Sequence, residues 1–190
     1  MIDKHVTQLM KRLKENKDTD RFDSINYDPG NGKIYIGSSH RFYRFNNVES
    51  TDLNTVCSPV DIDKYESLFK RNSTGELIML NIPLAEVYKP LLALTKYLDD
   101  VVITFSGAGV EVRQSEHSKK VNKDFINATI GFDTGLTEEV TFTVQYKYFM
   151  DTLMAQNKLK VTNVEFVKKN HLIELNSDLL TSVIACIRSR

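Results

Sequence analysis

The sequence predicts an α+β protein built from repeated βαβββ units, with helices packed on one face of antiparallel sheets. Three observations predict it. Four segments carry apolar residues at helical spacing, and they alternate with short strand-like runs. Residues 77–114 and 139–176 share one strand–helix–strand–turn–strand order. Within that repeat Ile82 aligns with Val144, Leu84 with Tyr146 and Leu91 with Leu153, each 62 positions apart, and Phe105 aligns with Phe166 at 61. Residues 2–37 repeat the helix–strand–turn–strand part of the order, and a helix at 61–71 before a strand at 77–82 adds a further step.

The elements follow in chain order. Ile2, Val6, Leu9, Met10 and Leu13 fall on one stripe, so 2–16 reads as an amphipathic helix. Strands at 22–27 and 33–37 flank the turn Asp28-Pro-Gly-Asn-Gly32, and 41–45 alternates as a third strand. Residues 46–55 are polar and read as a loop. Ile62, Tyr65, Leu68 and Phe69 mark the second helix, ended by Ser73-Thr-Gly75. A strand at 77–82 leads into a helix over 84–98, where Pro90 should kink or reset the first turns. Strands at 101–105, 110–114 and 128–132 follow. The order then recurs as strand 140–144, helix 146–156, strand 161–167, a turn at 168–170, strand 172–175 and a last strand over 181–188.

The chain has 190 residues, 41% apolar and 26% charged, enough for one or two domains with a buried core. Lys plus Arg is 25 and Asp plus Glu is 25. A nucleic-acid binder driven by bulk basicity is therefore excluded, while a basic face balanced by an acidic back is not. No run approaches the roughly 18 apolar residues of a membrane span, and Met-Ile-Asp-Lys-His carries no hydrophobic leader, so a cytoplasmic protein is expected. Cys57 and Cys186 cannot form a disulfide framework or a four-ligand zinc site.

On helices that pack against sheets, the outward face carries the functional information. Lys4 and Lys11 lie seven apart on one stripe, as do Lys89 and Lys96, with only small Ala85 and Ala93 between them. The second helix presents Lys64 and Arg71, and the fourth presents Lys147 and Lys158, interrupted by Asp151. Charged outer faces are ordinary on any soluble protein. The functional alternative is a surface that touches phosphates without reading bases, a task suited to lysine as a flexible point charge. The chain has no tryptophan and no arginine-rich recognition helix.

Two segments give this pattern a resemblance to the DNA sliding clamps, most similar to the bacterial beta type and its phage relatives. Val140-Thr-Phe-Thr-Val-Gln-Tyr-Lys-Tyr-Phe-Met-Asp-Thr-Leu153 resembles the family's late strand and the "aKYLLDAL"-like helix after it. Val183-Ile-Ala-Cys-Ile-Arg188 resembles the closing strand ending near "VxMPMRL", although the proline and second methionine are absent and Ser189-Arg190 extend beyond it. The resemblance implies a clamp-like domain at 77–190 and a shortened one at 1–76. It further implies a toroid of six domains lined by twelve helices around double-stranded DNA. Four helices and two domain equivalents per chain would make that ring a homotrimer. A DNA polymerase or other replication protein would dock a hydrophobic peptide beside the last strand, which places the partner contacts on Ile184, Cys186 and Ile187.

Catalytic constellations are not found in the sequence. The histidines at 5, 40, 117 and 171 lack metal-site spacing, and Ser106-Gly-Ala-Gly109 joins two strands instead of opening a helix. No cofactor is expected. A basic run with Lys119, Lys120 and Lys123 reads either as a solvated loop or as a further DNA contact. The expected function is thus a non-enzymatic clamp that encircles duplex DNA without sequence preference. The alternative is a clamp-fold adaptor that binds a replication protein and never closes on DNA.

Overall fold

The computed structural model describes residues 2–15, 25–53, 57–69, 78–116, 118, 127–169 and 171–187. Arg71, Lys119, Lys120 and Lys123 lie outside the described residues, as do Phe22 and Arg188 at the expected ends of two strands. In chain order the elements are α1 (Ile2–Glu15), β1 (Asn26–Asp28), β2 (Lys33–Gly37), β3 (Arg41–Phe45), α2 (Pro59–Phe69), β4 (Ile78–Pro83), α3 (Leu84–Leu94), β5 (Asp100–Ser106), β6 (Gly109–Gln114), β7 (Asn127–Gly131), β8 (Val140–Gln145), α4 (Tyr146–Lys158), β9 (Asn163–Lys169), β10 (Leu172–Asn176) and β11 (Leu180–Ala185).

The repeat expected at about 62 positions is a pseudo-two-fold. The second sheet runs β7-β6-β5-β8, and the first contains β11-β10-β9-β4 in the corresponding order, each half lending one strand to the other's sheet. The helix starts obey the same symmetry. Neither has a side-chain cap; instead Leu84 N–H donates to the Thr162 carbonyl (2.9 Å) and Tyr146 N–H to the Asp99 carbonyl (2.7 Å). One orphan donor per helix is thereby satisfied by the other half.

Strand alternation builds the core between these sheets. Val101, Ile103, Phe105, Phe142 and Val144 point inward from the second sheet, while Thr104 and Thr141 meet on its outer face with hydroxyls 3.1 Å apart. Ile82, Val164, Phe166, Ile173, Leu175 and Ile184 answer from the first sheet, and Leu84, Val87, Leu91, Phe149 and Leu153 close the core from α3 and α4. Each such side chain contributes about 1.5–3 kcal/mol by leaving water. The β5–β6 hairpin turns at Ser106–Gly109, and Gly109 has φ +139°, where a Cβ would collide with the Ile130 carbonyl. The turn is therefore a close-approach site for backbone, and it joins two strands as expected.

Residues 2–69 extend the first sheet. Its full order is β1-β2-β3-β11-β10-β9-β4, with β3 antiparallel to β11 in the register Phe42↔Val183 and Tyr43↔Ser182. Here both faces are covered. Ile34, Ile36, Tyr43 and Phe45 meet Val6, Leu9, Met10 and Leu13 of α1, while Tyr35, Phe42 and Val183 meet Tyr65 and Phe69 of α2. The fold is α+β with four helices on antiparallel sheets, as expected, but the helices divide. α1, α3 and α4 share one side, and α2 crosses the opposite face of the first sheet.

Smaller departures have local causes. α2 begins at Pro59 because Ser58 caps it: Asp61 N–H donates to Ser58 Oγ (3.3 Å) and Ser58 Oγ donates to Asp61 Oδ2 (2.6 Å). α3 runs through Pro90 but ends at Leu94, four residues early, where Thr95 bonds back to the Leu92 carbonyl. β11 ends at Ala185 because Ile187 N–H crosses to the Thr143 carbonyl of the second sheet (2.8 Å).

Candidate functional site

The helices α1, α4 and α3 form a row, with α4 in the middle. α1 buries Val6, Leu9, Met10 and Leu13, so Lys4, Lys11 and Lys14 stand in solvent. α4 is enclosed by its neighbours, leaving Asn157 and Lys158 exposed and Lys147 half-buried with its ammonium 4.9 Å over the Tyr148 ring. Lys158 Nζ donates to Gln8 Oε1 of α1 (2.7 Å). α3 buries Leu84, Val87 and Leu91 and exposes Lys89, and Lys96 is exposed just past its end. Lys4, Lys11, Lys89, Lys147 and Lys158 thus belong to the helices of this row, and Lys96 lies just past the end of α3. Lys64 belongs to α2 and lies on the other side, away from them.

Asp151, which interrupts the lysines of α4 in the sequence, is electrostatically offset. Arg12 of α1 reaches its Oδ1 at 2.7 Å, and Arg41 of β3 reaches Oδ2 at 2.5 Å. The Arg41 side chain is 1% exposed and its guanidinium also lies 4.5 Å over Tyr148, whereas Arg12 is 42% exposed. Two cations against one anion leave this part of the row with positive charge at its surface. Helical spacing alone finds neither arginine, because both act across elements. Beside them His5 sits in the α1–α4 crevice, its pKa lowered by burial and then by Lys158 and Lys4.

The opposite face carries a groove of about 600 Å³ between α2, the β2–β3 turn, β10 and β11. Phe42, Leu68, Leu172, Val183 and Ala185 form its apolar lining, and Ser38, Ser39, His40, Arg41 and Lys64 its polar one. α2 is held over the sheet by Tyr65 stacked on Tyr35 (5.3 Å) and packed against Phe42 (5.4 Å). Glu66 accepts from Tyr35 Oη (2.7 Å), Lys33 Nζ (2.9 Å) and Arg44 NH1 (3.0 Å). Burial pushes the Glu66 pKa up, but these hydrogen bonds and the charges of Arg44 and Lys33 outweigh it, and the net shift is downward.

The three residues expected as partner contacts lie elsewhere than in the groove lining. Ile184 is fully buried and faces the core, because alternation along β11 turns Val183 and Ala185 to the groove instead. Cys186 packs against the main core, and burial pushes its thiol up to about 11. Ile187 is half-buried, its N–H committed to the second sheet. None of the three expected contacts lines this groove. Among the described residues no group of three or more His, Cys, Asp or Glu could hold a metal ion. Among them also, no helix is long and apolar enough to cross a membrane.

Neither protein-family models nor curated protein sequences match the chain. Solved structures do. The DNA polymerase sliding clamp of Pseudomonas aeruginosa aligns at 9% identity and TM-score 0.53, over 83% of this chain and 42% of that one. The Helicobacter pylori beta clamp bound to a DNA ligase peptide aligns at 7% and 0.51, over 83% and 41%. The DNA polymerase III subunit beta of Borrelia burgdorferi aligns at 12% and 0.50, again over 83% and 41%. The matched region spans about two fifths of each of those chains. At these identities the likeness is one of fold, and the fold of this chain is that of the bacterial sliding clamps.

Proposed function

We propose that this chain is a DNA sliding clamp, a non-catalytic processivity factor that encircles duplex DNA as a homotrimer and tethers a DNA polymerase or other replication protein. One observation carries the reading: Lys4, Lys11, Lys89, Lys96 and Lys158 are exposed on or just past α1, α4 and α3, Lys147 is half-buried beside them, and the buried acid of α4, Asp151, is offset by Arg12 and Arg41. Such a surface attracts phosphates at any register, and weak individual contacts leave the protein able to slide. The contacts would be Lys4, Lys11, Lys89, Lys96, Lys147 and Lys158, with Arg12 added and Lys64 removed to the outer face. In this reading residues 77–190 form one complete clamp-like domain and 1–76 a shortened one, joined through the β3–β11 pair. The outer groove takes an extended hydrophobic peptide of the replication partner, and the compartment is the cytoplasm.

A second reading has its own support. Residues 2–69 contribute one helix to the common side, because α2 crosses the outer face. Three copies would then present nine helices, and twelve would require four. A clamp-fold adaptor that binds a replication protein without encircling DNA is compatible with that count. Analytical ultracentrifugation over a hundredfold concentration range separates the readings. A mass near three times 21.8 kDa is expected for the homotrimer. A mass near four times that value replaces the trimer with a tetramer, and a monomer throughout overturns the ring in favour of the adaptor.

A further inference from the structure

The two sheets end in β1, β4, β7 and β8, and the chain itself engages two of these edges. Cys57 N–H donates to the Tyr27 carbonyl of β1 (2.9 Å), and Ile187 N–H reaches the Thr143 carbonyl of β8. The pseudo-two-fold carries β8 onto β4 and β11 onto β7. Its halves agree up to the last strand, where Cys186 N–H bonds the His171 carbonyl (2.8 Å) as Phe132 N–H bonds the Ala108 carbonyl (3.1 Å). Beyond that point they part. Ile187 crosses to β8, whereas Thr134 N–H turns back to the Gly107 carbonyl (3.4 Å) and leaves β4 without that crossing. Likewise β11 is continued by β3, with Ala185 N–H on the His40 carbonyl (2.8 Å), while its counterpart β7 ends its sheet. Because Ile187 follows β11 and touches β8, those two edges share the end on which residues 2–69 dock. β4 and β7 share the other end.

β7 has the features of a paired strand. Its ladder to β6 uses Ala128 and Ile130, the residues in step with Phe132, so the N–H and C=O groups of Asn127, Thr129 and Gly131 point to the free side. Free edges of native sheets are commonly blocked by lysine, proline or a bulge, and Asn127-Ala-Thr-Ile-Gly131 carries neither charge nor proline. α3 ends the helix row on this side. Two of the three large hydrophobics exposed among the described residues, Leu92 and Tyr97, lie on α3 or just past it. We infer that this end receives a second copy of the chain. An extended segment of that copy pairs with β7 and a helix of it lies beside α3, as β3 and α1 lie against β11 and α4 within one chain. This rests on the reading that the chain assembles, and it names where the copies meet.

Sedimentation equilibrium over a hundredfold concentration range would compare the full-length wild type with Thr129→Pro and Thr129→Lys, each checked for folding by circular dichroism. The Thr129 N–H serves the free side alone, so proline there removes a donor from the seam and none from the β6–β7 ladder. Wild type is expected to associate, Thr129→Lys to associate roughly tenfold more weakly, and Thr129→Pro to stay near 21.8 kDa. Hydrogen exchange reads the same contact without a substitution: in wild type the amides of Thr129 and Gly131 should gain protection as concentration rises. Association that is unchanged in folded Thr129→Pro overturns the seam and leaves a ring assembled through another face. So do β7 amides that exchange alike in dilute and associated wild type. A wild type that stays monomeric overturns the seam and the ring together.

Discussion

The two regions of the molecule are held together by different physics. In residues 78–185 two sheets face each other across an apolar core, and the stabilising contacts repeat with the chain. In residues 2–69 three strands are covered on both faces, and charges placed by distant elements supplement the apolar contacts. Asp151 joins Arg12 and Arg41, and Glu66 joins Lys33, Tyr35 and Arg44. The first region is a self-completing repeat. The second depends on the first for a strand partner, for the α4 surface under α1 and for the carboxylate that balances a buried guanidinium.

The largest test of that difference is Asp151→Ala. It leaves Arg41 buried without its carboxylate, and a loss of about 3–5 kcal/mol is expected in urea unfolding. Hydrogen exchange should then show α1 and β1–β3 losing protection before β5 and β8. Phe105→Ala, in the repeat, should cost a similar ~3–5 kcal/mol but lower protection throughout. Equal exchange patterns for the two variants would remove the distinction.

Glu66→Gln sharpens the comparison on the other face. It replaces charge-assisted bonds to Lys33 and Arg44 and should cost about 1–3 kcal/mol, seen as earlier exchange in α2. The pH dependence has a defined sign. The Glu66 pKa is lower in the folded state, so its contribution is full above the ordinary value of 4.5 and fades as pH falls through the folded value. Thermal unfolding of Glu66→Gln should lack that part of the acid loss. His5 acts in a higher window. With its folded pKa below 6.5, the unfolded chain binds more protons as pH drops through that value, and Tm should fall from pH 7.5 to 5.5 by less in His5→Gln than in wild type.

The smallest effect expected is chemical. Burial pushes the thiols of Cys57 and Cys186 up to about 11, so iodoacetamide at neutral pH should label both far more slowly than a free thiol. Rapid labelling of Cys57 alone would mean that α2 opens the outer face readily.

What was legible in the sequence follows the same divide. Val140–Val144 alternates strictly between apolar residues and threonine, Val101–Phe105 alternates in burial, and both strands formed within a residue of their expected ends. The paired offsets of 61 and 62 positions mark a real two-fold because each half must bury the same inward faces. The side occupied by α2 was less accessible, although one signal existed. Ile34-Tyr35-Ile36 is continuously apolar, which is what a strand covered on both faces requires, and Ser58-Pro59 with Asp61 marks the helix start. The β3–β11 pairing joins segments about 140 positions apart and has no local signature, so the turning of Val183 toward the groove and Ile184 toward the core could not be read from β11 alone. Arg12 and Arg41 were missed for the same reason. Their partner, Asp151, is on α4, more than a hundred positions away.

In the proposed function, cations on the α1–α4–α3 row would face a duplex that passes through a closed ring. The most direct measurement loads the protein, with any loading factor it requires, on nicked circular DNA at raised salt and compares retention before and after the circle is cut. Retention on the circle, rapid loss from the linear form, and weaker loading by the folded Lys89→Glu/Lys96→Glu variant are predicted. Equal retention on both forms, or loading unchanged by the two reversals, would contradict a ring with this face toward the DNA.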